Sequence, residues 1–341
     1  MRPRLLPDTH LLPSDRGVVI TGPRHTAAFA LPGIHPWLER LRPFLDGGNS
    51  LEQLTADLPP QAARHVRTLV ELLAREGFVR DASADLPHTL SPQTRSHHAA
   101  LIDYIAARAD SPEHRFERYR GCAPLVVGSG RVAGALVLAL LGSGVAHVRL
   151  RPSESQDAGE QAAGAVTDVA RLHECVALLR KEGGSFHYEP LSGGDPSELP
   201  PDVGVVLFGS DVSDPKSADP ARALALRGGL PYGQVVGRGE HVVISAVRPV
   251  QHVRCPSTPA ASKGVVPHRR SSDVECPAPV RRPSPYLGGP MAALAANQLC
   301  LRLLRTVAGL DHIARPNDPS ATAEPAVLDL ATGRFLGAEP E

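Results

Sequence analysis

One stretch constrains this chain more than any other. The apolar run Pro124-Leu125-Val126-Val127 passes straight into Gly128-Ser129-Gly130-Arg131-Val132-Ala133-Gly134, and the apolar helix that follows stops at Gly142-Ser143-Gly144. A buried strand, a glycine turn, a helix and a second strand over 145–150 open a βαβ unit. Such a unit needs a parallel sheet with helices on its faces. The alternation continues with a helix over 162–179, a strand over 186–191 and a buried strand over 203–208 that ends at Gly209-Ser210-Asp211. A strand pair, 230–236 and 241–247, and a final helix over 290–307 complete the pattern. Between them, residues 253–285 are rich in Pro, Ser and Arg and read as loop or disorder.

The glycines carry a specific chemistry. Backbone amides at a helix amino terminus can approach a pyrophosphate when glycine removes the side chains in the way. Gly128, Gly130 and Gly134 stand in that context, but Ala133 occupies the place of the last glycine of the motif. Ribose recognition also needs a carboxylate at the end of the next strand. Here that strand closes as Val148-Arg149-Leu150-Arg151-Pro152, with Glu154 displaced beyond the proline. The loop therefore reads as vestigial, and no cofactor is expected on this chain. Arg151 leaves open a phosphate-accepting site of the NADP kind.

The first eighty residues form a pattern of their own. Short extended segments over 5–12, 17–21 and 26–31 are separated by Pro13-Ser14-Asp15-Arg16-Gly17 and Gly22-Pro23. Trp37, Leu38, Leu41, Phe44 and Leu45 then recur at helical spacing, a short helix follows over 51–58, and a third places Val66, Leu69, Val70 and Leu73 on one stripe. Three strands with three short helices make a winged helix-turn-helix. DNA binding is disfavoured, because Arg64, His65, Arg67 and Arg75 of the third helix are interspersed with Glu71 and Glu76.

Composition supports two cores in 341 residues, and 36 basic against 36 acidic residues exclude a bulk attraction to nucleic acid or an anionic membrane. The most apolar run, 133–141, is too short to cross a bilayer. Met1 to His10 forms no secretory signal, and five dispersed cysteines suit a reducing cytoplasm. The expected organisation is a winged-helix domain over 1–82, a connector with one helix over 83–121, a nucleotide-fold domain over 122–312 and a tail over 313–341.

This order of parts resembles a known family. The amino-terminal unit resembles the RiPP recognition element, a PqqD-like winged helix that binds leader peptides of ribosomally made, modified peptides. The larger part resembles the ThiF-type adenylating fold, closest to the ocin-ThiF-like proteins that accompany thiazole/oxazole-forming (TOMM, thiopeptide-type) cyclodehydratases. Pro124 to Leu150 matches that family's glycine loop and second strand, and Leu230 to Cys255 its strand pair followed by a cysteine. The fold class is accordingly α/β, a winged helix followed by a degenerate ThiF-type Rossmann-like domain. Parent folds hold zinc with two CxxC pairs. Cys255 and Cys276 have lost their second members, so they remain weak metal candidates with His252 or His268, and zinc is not expected.

The resemblance implies a non-catalytic subunit that delivers a precursor peptide to a YcaO-type cyclodehydratase, which uses its own ATP, with a homodimer formed through the ThiF-like domain. The leader would add as a strand along Thr26, Ala27, Ala28, Phe29, Ala30 and Leu31, beside Arg64, Arg67, Val70 and Glu71 of the third helix. For Phe29 and Val70 a plain core role competes with that assignment. Two other functions stay open: an active adenylating or NADP-dependent enzyme, and a winged-helix DNA regulator.

Overall fold

The computed structural model describes residues 1–153, 167–179, 185–189, 198–213, 215–250, 282–310 and 325–336. They form two compact units, Met1–Arg118 with a short stretch from Val307, and Tyr119–Thr306 with the carboxy-terminal strands.

In the first unit β1 (Pro3–Leu5) is followed by β2 (His10–Ser14), β3 (Gly17–Thr21) and β4 (Thr26–Phe29), an antiparallel sheet in the order β2-β3-β4. Helices α1 (Ile34–Leu41), α2 (Leu51–Thr55) and α3 (Pro60–Arg75) lead to β5 (Val79–Asp81), which returns to pair with β1. Ser50 caps α2 by accepting from Gln53 N, while Gln53 Oε1 accepts from Ser50 N. Leu11, Val18, Ile20, Leu38, Val70, Leu73 and Phe78 share one buried cluster. Of the apolar residues read at helical spacing, Trp37 and Phe44 are 57% and 53% exposed. Leu38 takes the inward direction with Ile34 and Leu41 at helical spacing, and Trp37 lies about 100° away around the same helix.

Residues 83–121, read as a connector with one helix, carry that helix as α5 (Ala99–Ala106) and add α4 (Pro92–His97) and α6 (Pro112–Arg120) on either side of it. Ile102, Ile105 and Phe116 are buried, so this stretch carries core of its own. Arg80 grips Asp85 with two bonds of 2.6 and 2.8 Å, and Asp85 accepts from Ser111 N.

The second unit begins with β6 (Pro124–Ser129), α7 (Gly130–Gly142) and β7 (His147–Arg151), followed by α8 (Val169–Leu179), β8 (Ser185–Tyr188), β9 (Val205–Ser210), α9 (Pro215–Gly228) and β10 (Pro231–Arg238). The strands run parallel in the order β8-β7-β6-β9-β10. This is the doubly wound arrangement, with the chain reversing direction across the sheet between β6 and β9. β11 (His241–Ile244), β12 (Arg248–Pro249), α10 (Gly289–Val307), β13 (Ala326–Asp329) and β14 (Phe335–Leu336) complete the unit. β11, β13 and β14 extend the sheet beyond β10 by antiparallel pairing.

β6 and β9 are apolar along their length because both faces are covered. Leu125, Val127, Val206 and Phe208 pack with Ala221 and Leu224 of α9. The Rossmann-type α/β architecture expected for this half is therefore present. Among the described residues no helix is long and apolar enough to cross a membrane.

Candidate functional site

The crevice at the carboxyl ends of β6 and β9 is where a doubly wound sheet binds its ligand. Two glycines shape it. A Cβ on Gly128 (φ +144°) would lie 1.9 Å from the Gly209 carbonyl oxygen, and one on Gly130 (φ +85°) would lie 2.5 Å from the Asp211 carboxylate. Ser129, at the N-cap of α7, makes no side-chain capping bond. Asp211, arriving from the end of β9, does so in its place. Its Oδ2 accepts from Arg131 N at 2.9 Å and its Oδ1 from Val132 N at 2.8 Å.

Asp211 is 3% exposed. Burial raises its carboxyl above the ordinary carboxylate range, against the weaker pull of the two amide bonds and the Arg131 charge. A folded-state pKa above the unfolded one gives stability that is full at low pH and lost as pH rises through the folded value. Subtracting the thermal stability profile of Asp211→Asn from that of the parent should isolate this acid-favoured component. A difference curve that is flat across the acidic range would contradict the assignment.

The donors and acceptors here fit the phosphate end of a nucleotide only with a cation between phosphate and Asp211, since the carboxylate already takes the amides a phosphate would use. The ribose end differs from a dinucleotide fold. Arg151, at the end of β7, donates through Nε to Glu189 Oε2 at 2.7 Å and through Nη1 to the Glu198 carbonyl at 3.0 Å. Arg149 pairs with Asp202 at 2.8 Å. At the end of β7, where a dinucleotide fold places an acid, this chain has Arg151, held by Glu189. From the glycine loop an open groove of about 1070 Å³ runs along α7, walled by Gly134, Arg171 of α8 and Asn297 of α10.

Thiol chemistry is disfavoured at two of the cysteines. Burial pushes Cys122 up to about 12 and Cys300 upward as well, so neither supplies a thiolate at neutral pH. Cys255, Cys276, His252 and His268 lie outside the described residues. Among the described residues no group of three or more His, Cys, Asp or Glu is placed to hold a metal.

In the first unit, the two margins of the sheet differ. The hairpin joining β2 to β3 turns through Asp15-Arg16 with Ser14 opposite Gly17, and Gly22 N bonds to His25 O across the next turn. Antiparallel alternation then aims the backbone groups of Leu11 and Pro13 outward from β2, and those of Thr26 and Ala28 outward from β4. The β2 margin is blocked. Pro13 has no N–H, His35 Nε2 lies 3.3 Å from the Leu11 carbonyl, and Arg42 donates to the Thr9 carbonyl at 2.8 Å. Among the described residues nothing bonds the outward backbone groups of Thr26 or Ala28. Their exposure matches: Thr26, Ala28, Ala30 and Leu31 are exposed, while Ala27 and Phe29 are half-buried against the core.

On α3 the named residues divide. Val70 is fully buried, which makes it core. Arg67 donates to Thr55 Oγ1 of α2 at 3.1 Å, so the flank it shares with exposed Arg64 and Glu71 is turned toward α2. Half-buried Val66 and Leu69 occupy the opposite flank and pack against the cluster that holds Ala27 and Phe29.

Known structures resemble this arrangement from end to end. E. coli MccB solved with MccA-N7isoASN aligns over 98% of this chain and 96% of its own, with TM-score 0.59 and 11% identity. PaaA aligns over 96% and 97%, with TM-score 0.60 and 15% identity. MccB with ATP aligns over 99% and 96%, with TM-score 0.59 and 10% identity. A further MccB structure, of the microcin C7 biosynthetic enzyme in complex with N-formylated MccA, has TM-score 0.58 at 11% identity. No protein-family profile and no curated protein matches the chain.

The shared property is the fold, and it spans both units. It also corrects one expectation. A chain expected to be a non-catalytic scaffold has the whole-length fold of a biosynthetic enzyme that has been captured with ATP, so the non-enzyme assignment is withdrawn. The residue that sequence reasoning missed is Asp211. Its signal was an acid immediately after an uninterrupted apolar strand, VVLFGS, at the strand end that borders the glycine loop.

Proposed function

We propose that this chain is an ATP-dependent, adenylating enzyme of ribosomal-peptide maturation that captures its own peptide substrate. The observation that carries the reading is the buried Asp211 carboxylate at the crevice between β6 and β9, held against the glycine loop. A structural cap needs an acceptor at this point but not a charge kept 3% exposed; cation-bridged phosphate gives that charge a use. Bound ATP would supply the activating adenylyl group. Gly128 and Gly130 would keep the approach open, and Asp211 would hold the bridging cation.

The first unit is read as a peptide-binding winged helix whose β4 margin accepts an extended segment. Support comes from the contrast between the blocked β2 margin and the open β4 margin. The family resemblance adds two partners, a second copy of the chain and a YcaO-type cyclodehydratase, and neither is required for nucleotide binding or peptide capture.

Calorimetric titration of the full chain with ATP and magnesium tests the reading. Saturable binding is expected, weakened roughly tenfold or more by Asp211→Asn with the circular dichroism of the variant unchanged. Binding of NADPH in preference to ATP would favour the NADP-dependent alternative raised by Arg151. Binding of neither would remove the nucleotide-dependent function.

A further inference from the structure

The β4 margin has a gap in its core-facing row. Cross-strand partners on that face run Leu11, Ile20, Ala27, with Leu11 and Ile20 at 8% and 0% exposure and Ala27 half-buried. The row therefore steps from two large buried side chains to a methyl group at the open margin. Beside Ala27 on the same face stand His25 and Phe29. His25 stacks on Phe78 at 4.5 Å between ring centroids, and Phe29 meets Phe78 edge-on at 6.4 Å. The place next to Ala27 is thus walled by two rings anchored on a third, and it continues the apolar cluster.

Backbone alternation fixes what can fill it. An antiparallel guest strand bonds to the outward groups of Thr26 and Ala28, so the guest residue opposite Ala27 belongs to a non-hydrogen-bonded pair. In such pairs the side chains approach most closely, on the face that Ala27 already shares with the core. We infer that Ala27 is a specificity-determining residue. The captured segment carries one large apolar side chain opposite Ala27, flanked on both sides by non-proline residues that pair with Thr26 and Ala28. A charged side chain at that place is disfavoured, because it would be drawn from water against half-buried Ala27 and Phe29 and buried Phe78, with only the exposed His25 ring beside it.

This inference rests on the peptide-capture reading of β4, and the experiment separates the two. A displayed library of random peptides of about nine residues is panned against the full-length chain and, in parallel, against Ala27→Leu and Ala27→Gly. Circular dichroism confirms that each variant is folded. The parent should enrich one Leu, Ile, Phe or Met position with non-proline neighbours. Ala27→Leu should shift that position to Gly, Ala or Ser and bind the parent's best peptide roughly tenfold more weakly, whereas Ala27→Gly should admit larger residues. If all three proteins select the same consensus, or the parent selects peptides without an apolar position, Ala27 does not set specificity although the margin still binds. Should the parent enrich nothing, the capture reading itself falls. If Ala27→Leu does not fold, the Ala27→Gly pool decides the outcome alone.

Discussion

Gly128→Ala is expected to lower the melting temperature of the full chain by about 10 °C, through a loss of roughly 3–5 kcal/mol in the second unit. The added methyl would sit 1.9 Å from the Gly209 carbonyl oxygen. That oxygen belongs to β9, paired in parallel register with β6, so relief requires two central strands to separate. The backbone at Gly128 also holds φ +144°, a conformation L side chains rarely adopt. Gly142→Ala provides the control. It lies at the end of α7 with nothing within 4 Å of the new methyl, and should be neutral or slightly stabilising, by up to about 0.5 kcal/mol. Differential scanning calorimetry distinguishes the two, and equal behaviour would show that the loop is not held as described.

Ala28→Pro should abolish peptide capture while leaving the fold intact. Proline is tolerated in a sheet where its missing N–H would have faced outward, as Pro13 already shows on β2. At Ala28 the same exchange removes one of the groups a guest strand must use and places the ring in its path. The peptide best enriched by the parent should bind at least roughly tenfold more weakly, measured by fluorescence polarisation on the full chain. Retained affinity with an unchanged melting temperature would place the peptide elsewhere.

Much of this architecture can be read before any coordinates. β6 and its helix are legible because a strand covered on both faces is an unbroken apolar run, and glycine is the only residue that fits the turn after it. The stretch over 92–120 is legible only at its middle helix, α5; α6 is not. Its sequence PEHRFERYR looks like a solvated surface, yet Phe116 and Tyr119 are both fully buried among charged neighbours. Local composition averages over the helix, whereas burial selects two side chains from it. Trp37 misleads in the opposite way, since the largest apolar residue of α1 lies just off the inward stripe.

The site divides along the same line. Arg151 at the end of β7 could be seen by reading forward from the glycine loop. Asp211 could not, because its role depends on β9 lying beside β6, a pairing of residues some eighty positions apart. In the first unit β4 was visible within the expected Thr26 to Leu31, but which α3 side chains turn inward depends on how α3 is rotated: Val70 is buried, Val66 and Leu69 are half-buried, and Arg67 reveals that rotation through its bond to Thr55.

The inequality between the two sides of the small sheet also bears on strand-by-strand growth. A ribbon able to recruit strands on both sides can grow without end. With Pro13, His35 and Arg42 sealing one side, any addition terminates growth. Two copies that met through β4 would likewise use up the open margin of each other's small sheet and could add no further strand there.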